Sequence, residues 1–191
     1  ISNCQRGLAG VGFGDFLIKR VVDRLSQRMP NVKTFATLSP IPGFRKWLDQ
    51  QLEADAELLT DAQARLIKAI ARTGTANEAF RKLISDSRWP NDHDIEAAVK
   101  DPLMALCARY LTKEKDRRDR PLDPVARFHL NNGARIERLN WLGDRSSSGL
   151  RQSAGMMVNY LYNLDHIERN HEAYRGEGRI AAASSVTRMA K

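Results

Sequence analysis

The chain has 191 residues, of which 42% are hydrophobic and 28% are charged, and its formal net charge is +8 at pH 7. This length and composition are typical of one folded domain, or of one domain with a helical insertion, and argue against a disordered or membrane-embedded protein. The two cysteines, Cys4 and Cys107, are too few for a disulfide framework and lack metal-ligand spacing, so we expect buried thiols in a reducing, cytoplasmic setting.

The excess of positive charge fits an anionic partner, and a basic nucleic-acid-binding module is one interpretation of it. The basic residues, however, are spread along amphipathic helices together with acidic ones, and the densest run, residues 113–120, is half neutralised by its own acids. We interpret that run as a solvated loop and expect neither nucleic acid nor a membrane as a partner. A small phosphate-bearing ligand needs only a few cations and backbone amides.

The first part of the chain predicts a strand, a glycine-rich loop, a helix and a second strand. Residues 1–4 are typical of the end of a strand whose beginning is missing, and we expect the chain to be a piece of a longer protein. Four glycines fall within residues 7–14. Apolar residues at helical spacing then continue to about Arg28, and residues 33–38 have the β-branched composition of a short strand.

The glycine-rich loop is a candidate anion site. Glycines let backbone N–H groups approach an anion closely, and the N-terminus of the following helix adds a partial positive charge. The spacing matches neither the Walker loop, because no Gly-Lys-Ser/Thr ends it, nor the dinucleotide-binding fingerprint. The pattern is equally compatible with a phosphate site and with a tight turn.

The middle of the chain predicts helices, and the last third predicts strands and a tail. Short helices are expected throughout a helical insertion over about 45–112, with pieces at 62–71, 77–84, 94–99 and 102–111. Residues 134–141 predict a strand. Residues 156–162 are compatible with a buried helix, but their period-two pattern favours a strand. Residues 176–191 are small, polar and basic, and we expect a loosely held tail.

Ser39 stands directly after the second predicted strand, in the string Leu-Ser-Pro-Ile-Pro-Gly-Phe at residues 38–44. The two prolines fix the backbone there, and open α/β sheets place their ligands at the C-terminal ends of strands. A serine hydroxyl needs a base before it can act as a nucleophile or proton relay. The alternative is a serine that caps the helix that follows.

His129 lies in an apolar segment that we interpret as a strand-edge or turn setting. The unperturbed pKa of histidine is about 6.5, so a mostly neutral imidazole can both give and take a proton near pH 7. The alternative is a core histidine bonded to the backbone. The other three histidines, His93, His166 and His171, are predicted to lie on the surface, and we expect no metal.

Six stretches of this sequence resemble the malonyl-CoA decarboxylase family and recur in the family's order over about residues 1–175. The most specific are Leu-Ser-Pro-Ile-Pro-Gly-Phe and Phe-His-Leu-x-Asn-Gly-Ala. The stretches are residues 5–11, 16–19, 38–44, 128–134, 139–141 and 158–160. The resemblance implies an α+β fold, with a GNAT-like mixed β-sheet flanked by helices and a helical insertion before the His129 segment. Residues 1–175 would form the catalytic domain, without the N-terminal helical domain that helps full-length relatives to form tetramers.

The resemblance also implies which residues catalyse the reaction and bind the substrate. Ser39 would act as proton acceptor and His129 as proton donor, and Tyr162 would lie nearby. Some relatives have a glutamate where this chain has Gly12, so a carboxylate is absent at that position. The residues expected to contact malonyl-CoA are Ala9, Gly10, Val11, Gly12, Phe13, Gly14, Asp15, Ser39, His129 and Tyr162.

The implied function is that of a carbon–carbon lyase of fatty acid metabolism, which converts malonyl-CoA to acetyl-CoA and CO₂ through a thioester enolate. Because the thioester is itself the electron sink, we expect no biotin, pyridoxal phosphate or metal cofactor. A GNAT-type acyltransferase that moves an acyl group from CoA to an amine is the first alternative. The basic nucleic-acid-binding module, whose affinity would fall steeply with salt, is the second.

Overall fold

A computed structural model describes residues 13–86 and 88–190 of the chain. The described part contains three strands and helices on an α+β plan. The helices are α1 (Phe13–Arg28), α2 (Phe44–Glu53), α3 (Asp61–Ala71), α4 (Ala76–Ser85), a 3₁₀ turn (Trp89–Asn91), α5 (His93–Thr112), α6 (Pro124–Asn131), α7 (Ser147–Ser153), α8 (Leu164–Glu177) and α9 (Ser184–Met189). The strands are β1 (Phe35–Pro40), β2 (Arg135–Asn140) and β3 (Met157–Tyr162). Residues 1–12, with the predicted first strand and most of the glycine-rich loop, lie outside the described residues.

The three strands form one sheet in the order β1–β3–β2. Both strand pairings are antiparallel, and Ser39 of β1 lies opposite Val158 of β3. The mixed sheet that the resemblance implies is therefore not seen in this part of the chain, where one isolated parallel bridge, Ile136 to Ala182, accompanies the antiparallel pairs. The strands predicted over 134–141 and 156–162 are confirmed.

The second predicted strand is shifted by two residues. It was expected over 33–38 with Ser39 directly after it, but β1 covers Phe35–Pro40, so Ser39 lies inside the strand. The shift is possible because Pro40 is the last residue of the strand, where a missing N–H is tolerated. The capping alternative for Ser39 is wrong, since Gly43 occupies the N-cap position of α2.

The region between β1 and α6 is helical, as predicted, with one difference. The ranges 94–99 and 102–111 were expected to be separate helices, but α5 runs without interruption from His93 to Thr112 and contains Pro102. Proline removes a backbone hydrogen bond from a helix interior. Buried side chains on both sides of it, including Val99 and Leu103, hold the helix through tertiary packing.

The segment that carries His129 is a helix, which corrects the strand-edge interpretation. Asp123 begins α6, and its Oδ1 accepts hydrogen bonds from the backbone N–H groups of Val125 (2.9 Å) and Ala126 (2.8 Å). Pro124 occupies the first turn, where its missing N–H costs nothing. After the helix, Gly133 has φ +77°, and a Cβ there would lie 2.2 Å from the carbonyl oxygen of Ile167. Only glycine fits this turn into β2.

The C-terminal segment is not loosely held as expected. The backbone N–H of Ile136 donates to the carbonyl of Ala181 (2.9 Å), and that of Ala183 donates to the carbonyl of Ile136 (2.8 Å). Helix α9 follows, and its Val186 is fully buried. The sparse apolar residues of the tail are spaced so that one helical turn places them against the core.

Candidate active site

Ser39 and His129, which the sequence places far apart, meet in the interior. Ser39 Oγ lies 3.1 Å from His129 Nε2. The two side chains are 6% and 3% exposed. Strand β1 supplies the serine because its inward-facing positions alternate, and the last turn of α6 supplies the histidine. The distance is that of a hydrogen bond between a hydroxyl and an imidazole.

The second ring nitrogen of His129 is also hydrogen-bonded. Its Nδ1 lies 2.7 Å from the hydroxyl oxygen of Tyr162, on β3. Tyr160, two residues earlier on the same face of β3, stacks on the imidazole with ring centroids 4.2 Å apart and planes 18° from parallel. Strand β3 thus fixes both the plane and the rotation of the ring. Tyr162, which the resemblance names as a residue near the site, lies beside His129.

Sequence reasoning missed Tyr160 as part of the site. The signal was present, because Val158, Tyr160 and Tyr162 alternate on one face of the strand. What the pattern alone did not show was which helix would cover that face. The Phe128 ring meets the His129 ring edge-on at 5.1 Å and completes the aromatic surround.

Burial changes the acid–base properties of His129. Removal from water disfavours the charged imidazolium and lowers the pKa of His129 to about 4. At pH 7 the ring is therefore neutral, with one N–H donor and one acceptor nitrogen. The unperturbed pKa of about 6.5 used in the sequence argument would have left a protonated fraction.

The hydrogen-bond chain continues past Ser39 to Thr37, a residue that sequence reasoning did not single out. Ser39 Oγ lies 3.0 Å from Thr37 Oγ1. Thr37 and Tyr162 both line a mostly apolar cavity of about 350 Å³ between α1 and β1. Ile18 and Val22 of α1 form part of the same wall.

A second buried polar group lies at the start of the helix that carries His129. Asp123 is 1% exposed, and burial raises the pKa of its carboxyl group although backbone N–H groups oppose the rise. Its Oδ2 is near the backbone N–H of Gly43 but outside standard hydrogen-bond geometry within the described residues. Burial, with Asp123 adding to it, also raises the pKa of Cys107 and of Tyr110. Cys107 is thus the buried, unreactive thiol that was predicted.

The glycine-rich segment is only partly described. Ala9, Gly10, Val11 and Gly12, expected to contact the substrate, lie outside the described residues. Phe13, Gly14 and Asp15 form the first turn of α1 instead of a loop.

The remaining polar features lie away from Ser39. Among the described residues, no group of three or more potential ligands is arranged to hold a metal ion. His93 is exposed, and His171 Nδ1 contacts the carbonyl oxygen of Asn131 at 2.5 Å. A larger cavity of about 800 Å³ is lined by arginines, among them Arg118 and Arg175, and includes neither Ser39 nor His129.

Comparison with known proteins identifies the family. The model of the malonyl-CoA decarboxylase C-terminal domain matches residues 1–191. The chain belongs to the malonyl-CoA decarboxylase family. It is 44% identical to "Malonyl-CoA decarboxylase, mitochondrial" of Anser anser anser and 42% identical to the protein of that name in Rattus norvegicus. Each alignment covers 97% of this chain but only 38% and 39%, respectively, of those relatives.

Solved structures of malonyl-CoA decarboxylases are also similar to this chain. The malonyl-CoA decarboxylase of Agrobacterium vitis matches with a TM-score of 0.86 at 44% identity, over 100% of this chain and 44% of that one. The enzyme of Rhodopseudomonas palustris matches with a TM-score of 0.82 at 49% identity, over 98% of this chain and 40% of that one. This chain therefore spans about two fifths of the proteins it matches.

The cytoplasmic setting stays a prediction. The names of the goose and rat relatives assign those proteins to mitochondria. Within residues 13–86 and 88–190, no helix combines the length and the apolar character that crossing a bilayer requires.

Proposed function

We propose that this chain carries the catalytic part of a malonyl-CoA decarboxylase, which converts malonyl-CoA to acetyl-CoA and CO₂. Ser39 acts as proton acceptor and His129 as proton donor. The observation that carries the proposal is the 3.1 Å contact between Ser39 Oγ and His129 Nε2 in the interior of a chain of this family. The two side chains are at hydrogen-bond distance before any substrate arrives, as a proton relay requires.

The reaction needs stabilisation of negative charge. Loss of CO₂ leaves an electron pair on the carbon next to the thioester, and the thioester carbonyl takes up that charge as an enolate oxygen. A hydrogen-bond donor aimed at such an oxygen is typically worth about 3 to 4 kcal/mol in the transition state. A neutral imidazole can be that donor. The pKa of about 4 keeps His129 neutral and able to donate over the whole physiological range.

The reaction also needs one proton at carbon. Malonyl-CoA and one proton give acetyl-CoA and CO₂, so the enzyme must deliver a proton to the enolate and recover it from water. His129 has both ring nitrogens hydrogen-bonded, to Ser39 and to Tyr162, so a proton leaving one nitrogen can be balanced through the other. A positioned acid–base pair typically contributes 10² to 10⁴ in rate.

Substrate binding is assigned to two places. The cavity of about 350 Å³ beside Thr37 and Tyr162 is suited to the malonyl end, because it lies against the relay and is mostly apolar. The phosphates of CoA are assigned to Ala9–Asp15, since the N-terminus of α1 at Phe13 contributes a partial positive charge there. Gly12 removes the glutamate that some relatives carry at that position.

The proposed domain organisation is the one that the resemblance to the malonyl-CoA decarboxylase family implies. Residues 1–175 form a GNAT-like catalytic domain, and helices α2 to α5 form an insertion of about 45–112 between β1 and α6. The sheet order β1–β3–β2 leaves one edge of β1 without a strand partner among the described residues. Assembly into a homotetramer would depend on sequence that the longer relatives have beyond the matched two fifths. No cofactor is proposed.

One assay distinguishes the proposed reaction from acyl transfer. The full-length protein is incubated with malonyl-CoA alone, with a chelator and without any amine, and CO₂ and acetyl-CoA are measured. The decarboxylase releases both products in equal amounts. Product formation only after an amine is added would instead identify a CoA-dependent acyltransferase.

The role of Ser39 is tested in the same assay. Ser39→Ala should bind CoA as the wild-type protein does but release little CO₂, because the hydroxyl next to His129 Nε2 is gone. Wild-type rates of CO₂ release would remove Ser39 from the mechanism. Ser26→Ala is the matched control, since the Ser26 hydroxyl donates to the Val22 carbonyl within α1 and forms no bond to Ser39 or His129 among the described residues.

A further inference from the structure

We propose that the arginine-lined cavity between the charged loop at residues 113–120, α6 and α8 is a second ligand site, which binds a nucleoside diphosphate or triphosphate. Its volume of about 800 Å³ is within the range of roughly 300 to 1,000 Å³ that small-molecule sites occupy. It includes neither Ser39 nor His129, so the proposal does not depend on the proposed function. Four arginines and two aromatic residues line it: Arg118, Arg120, Arg127, Arg175, Phe128 and Tyr174.

The two acids in the cavity lining are paired with cations that lie outside the lining. Asp119 Oδ2 lies 2.9 Å from Lys115 Nζ. Glu177 Oε2 lies 3.8 Å from Arg179 Nε. These pairs balance the charge of both lining acids without any of the four lining arginines.

The remaining carboxylate at the cavity is shared by two arginines. Asp116 Oδ2 lies 2.8 Å from Arg120 and 3.4 Å from Arg127. Within residues 13–86 and 88–190, no ion pair joins Arg118 or Arg175 to a carboxylate. Once each carboxylate is matched with one cation, three positive charges remain in excess. Guanidinium groups donate in pairs to phosphate oxygens, so a polyphosphate fits this excess.

Two half-buried rings supply flat surfaces beside the arginines. Phe128 and Tyr174 line the cavity and also pack against the hydrophobic core. Burial raises the pKa of Tyr174 although Arg127 and Arg120 oppose the rise, so this ring stands close to the guanidinium groups. A nucleic-acid base of any identity stacks on such a ring. Rings and cations together therefore favour a nucleotide over inorganic phosphate.

The loop wall of the cavity is held in place without a ligand. Asp116 Oδ1 accepts hydrogen bonds from the backbone N–H groups of Arg118 (2.8 Å) and Arg120 (3.1 Å). At the end of α8, Gly178 has φ +62°, and a Cβ there would lie 2.9 Å from Asp119 Oδ2. Glycine at this position therefore allows the loop to approach α8. A ligand that enters a preformed cavity does not have to order the loop.

The helix walls determine which groups must hold the anion. Helices α6 and α8 both end at the cavity, at Asn131 and Glu177. The C-terminus of a helix carries a partial negative charge, which disfavours an anion. Binding therefore depends on the arginine side chains, in contrast to the anion site proposed at the N-terminus of α1, and should weaken as salt screens these charges.

Calorimetric titration of the full-length protein with ADP, pyrophosphate and adenosine at pH 7.5 and low salt tests the proposal. We expect ADP to bind most tightly. Pyrophosphate should bind roughly tenfold more weakly, because it has no base to stack on the rings. Adenosine should bind least, because it carries no phosphate for the arginines.

A pair of double variants assigns the binding to this cavity. Arg118→Gln/Arg175→Gln removes the two arginines without an ion pair, so the pairs of Asp116 stay intact. Its dissociation constant for ADP should rise about a hundredfold, since a hydrogen bond to a charged group is worth roughly tenfold or more. Arg65→Gln/Arg151→Gln removes the same charge from exposed positions outside the lining and should bind ADP as the wild-type protein does.

Three results would overturn the proposal. The first is wild-type protein that shows no saturable binding of ADP or pyrophosphate at millimolar concentration. The second is adenosine that binds as tightly as ADP, which contradicts the role of the arginines without any variant. The third is equal ADP affinity in the two double variants, which would place the nucleotide elsewhere, for example at Ala9–Asp15.

Turnover distinguishes a free nucleotide from the nucleotide end of CoA. Arg118→Gln/Arg175→Gln should keep the wild-type KM for malonyl-CoA. A KM that rises as much as the dissociation constant for ADP would mean that the cavity holds the substrate itself, and would contradict a separate site. If the wild-type protein releases no CO₂ from malonyl-CoA, the proposed function fails while the ADP titrations still decide whether the cavity binds nucleotide.

Discussion

Two polar regions of this molecule, the site around His129 and the charged loop at residues 113–120, use similar groups with opposite results. At the site the polar groups are buried, and desolvation lowers the pKa of His129 to about 4. In the loop, Arg120 pairs with Asp116 at 2.8 Å and Lys115 with Asp119 at 2.9 Å, and one side chain of each pair, Arg120 or Asp119, is well exposed. At the site burial favours the uncharged form of the titrating group, whereas in the loop hydrogen bonds and ion pairs favour the charged form.

The largest expected effect is on how stability depends on pH. The folded-state pKa of His129 is about 4 and the unfolded value about 6.5, so the unfolded state binds more protons between those values. Stability is therefore complete above pH 6.5 and falls as the pH drops toward 4. The loss is on the order of 3 kcal/mol, because a tenfold difference in proton affinity corresponds to about 1.4 kcal/mol. Urea unfolding at pH 7.5, 5.5 and 4.5 measures it.

His129→Gln isolates this contribution from that of the carboxyl groups. The difference in unfolding free energy between wild type and variant should shrink as the pH falls from 6.5 to 4. A difference that stays constant over this interval would mean that His129 titrates near its ordinary pKa, and that burial does not control the site.

A smaller effect on stability is expected for substitutions at the start of α6. Asp123→Ala removes the two backbone hydrogen bonds that cap the helix, and loss of such a cap typically costs about 1 to 2 kcal/mol. Asp123→Asn keeps the cap and removes the buried charge, so its stability should lie within about 0.5 kcal/mol of wild type. Equal destabilisation by both substitutions would show that the carboxylate charge, and not the cap, is what the helix requires.

The smallest effect on stability is expected for a substitution in the charged loop. Arg120 holds the pKa of Asp116 at about 2 through hydrogen bonds, but the Arg120 side chain is well exposed. Arg120→Gln should leave the urea midpoint at pH 7.5 unchanged within error, because exposed ion pairs contribute little. A clear drop in the midpoint would mean that this loop supports the fold and that the contrast between the two regions is wrong.

The sequence predicted the parts of the fold that depend on local periodicity. The strands over 134–141 and 156–162 and most helices of the middle region follow from spacing of apolar residues alone. Separate helices were expected over 94–99 and 102–111, but the buried side chains around Pro102 keep α5 whole. The tail was expected to be loose because its residues are small, polar and basic, but Val186 and Ala190 are buried.

The sequence named two residues of the candidate site but not the geometry in which they meet. Ser39 and His129 were recognised through specific strings, whereas Thr37 and Tyr160 carry no string of their own. Both contact the relay only because β1 and β3 pair in one register, with Thr37 opposite Tyr160. The pKa of His129 depends on burial by residues distant in sequence, so local composition does not contain it.

The turnover of His129→Ala, with His93→Ala as control, tests the central claim most directly. Full-length protein and both variants are given malonyl-CoA alone, and kcat for CO₂ release is measured. His129→Ala should lose roughly 10² to 10⁴ in kcat, the usual contribution of a general acid–base, and the exposed His93→Ala should match wild type. Near-normal CO₂ release by a folded His129→Ala protein would contradict the account.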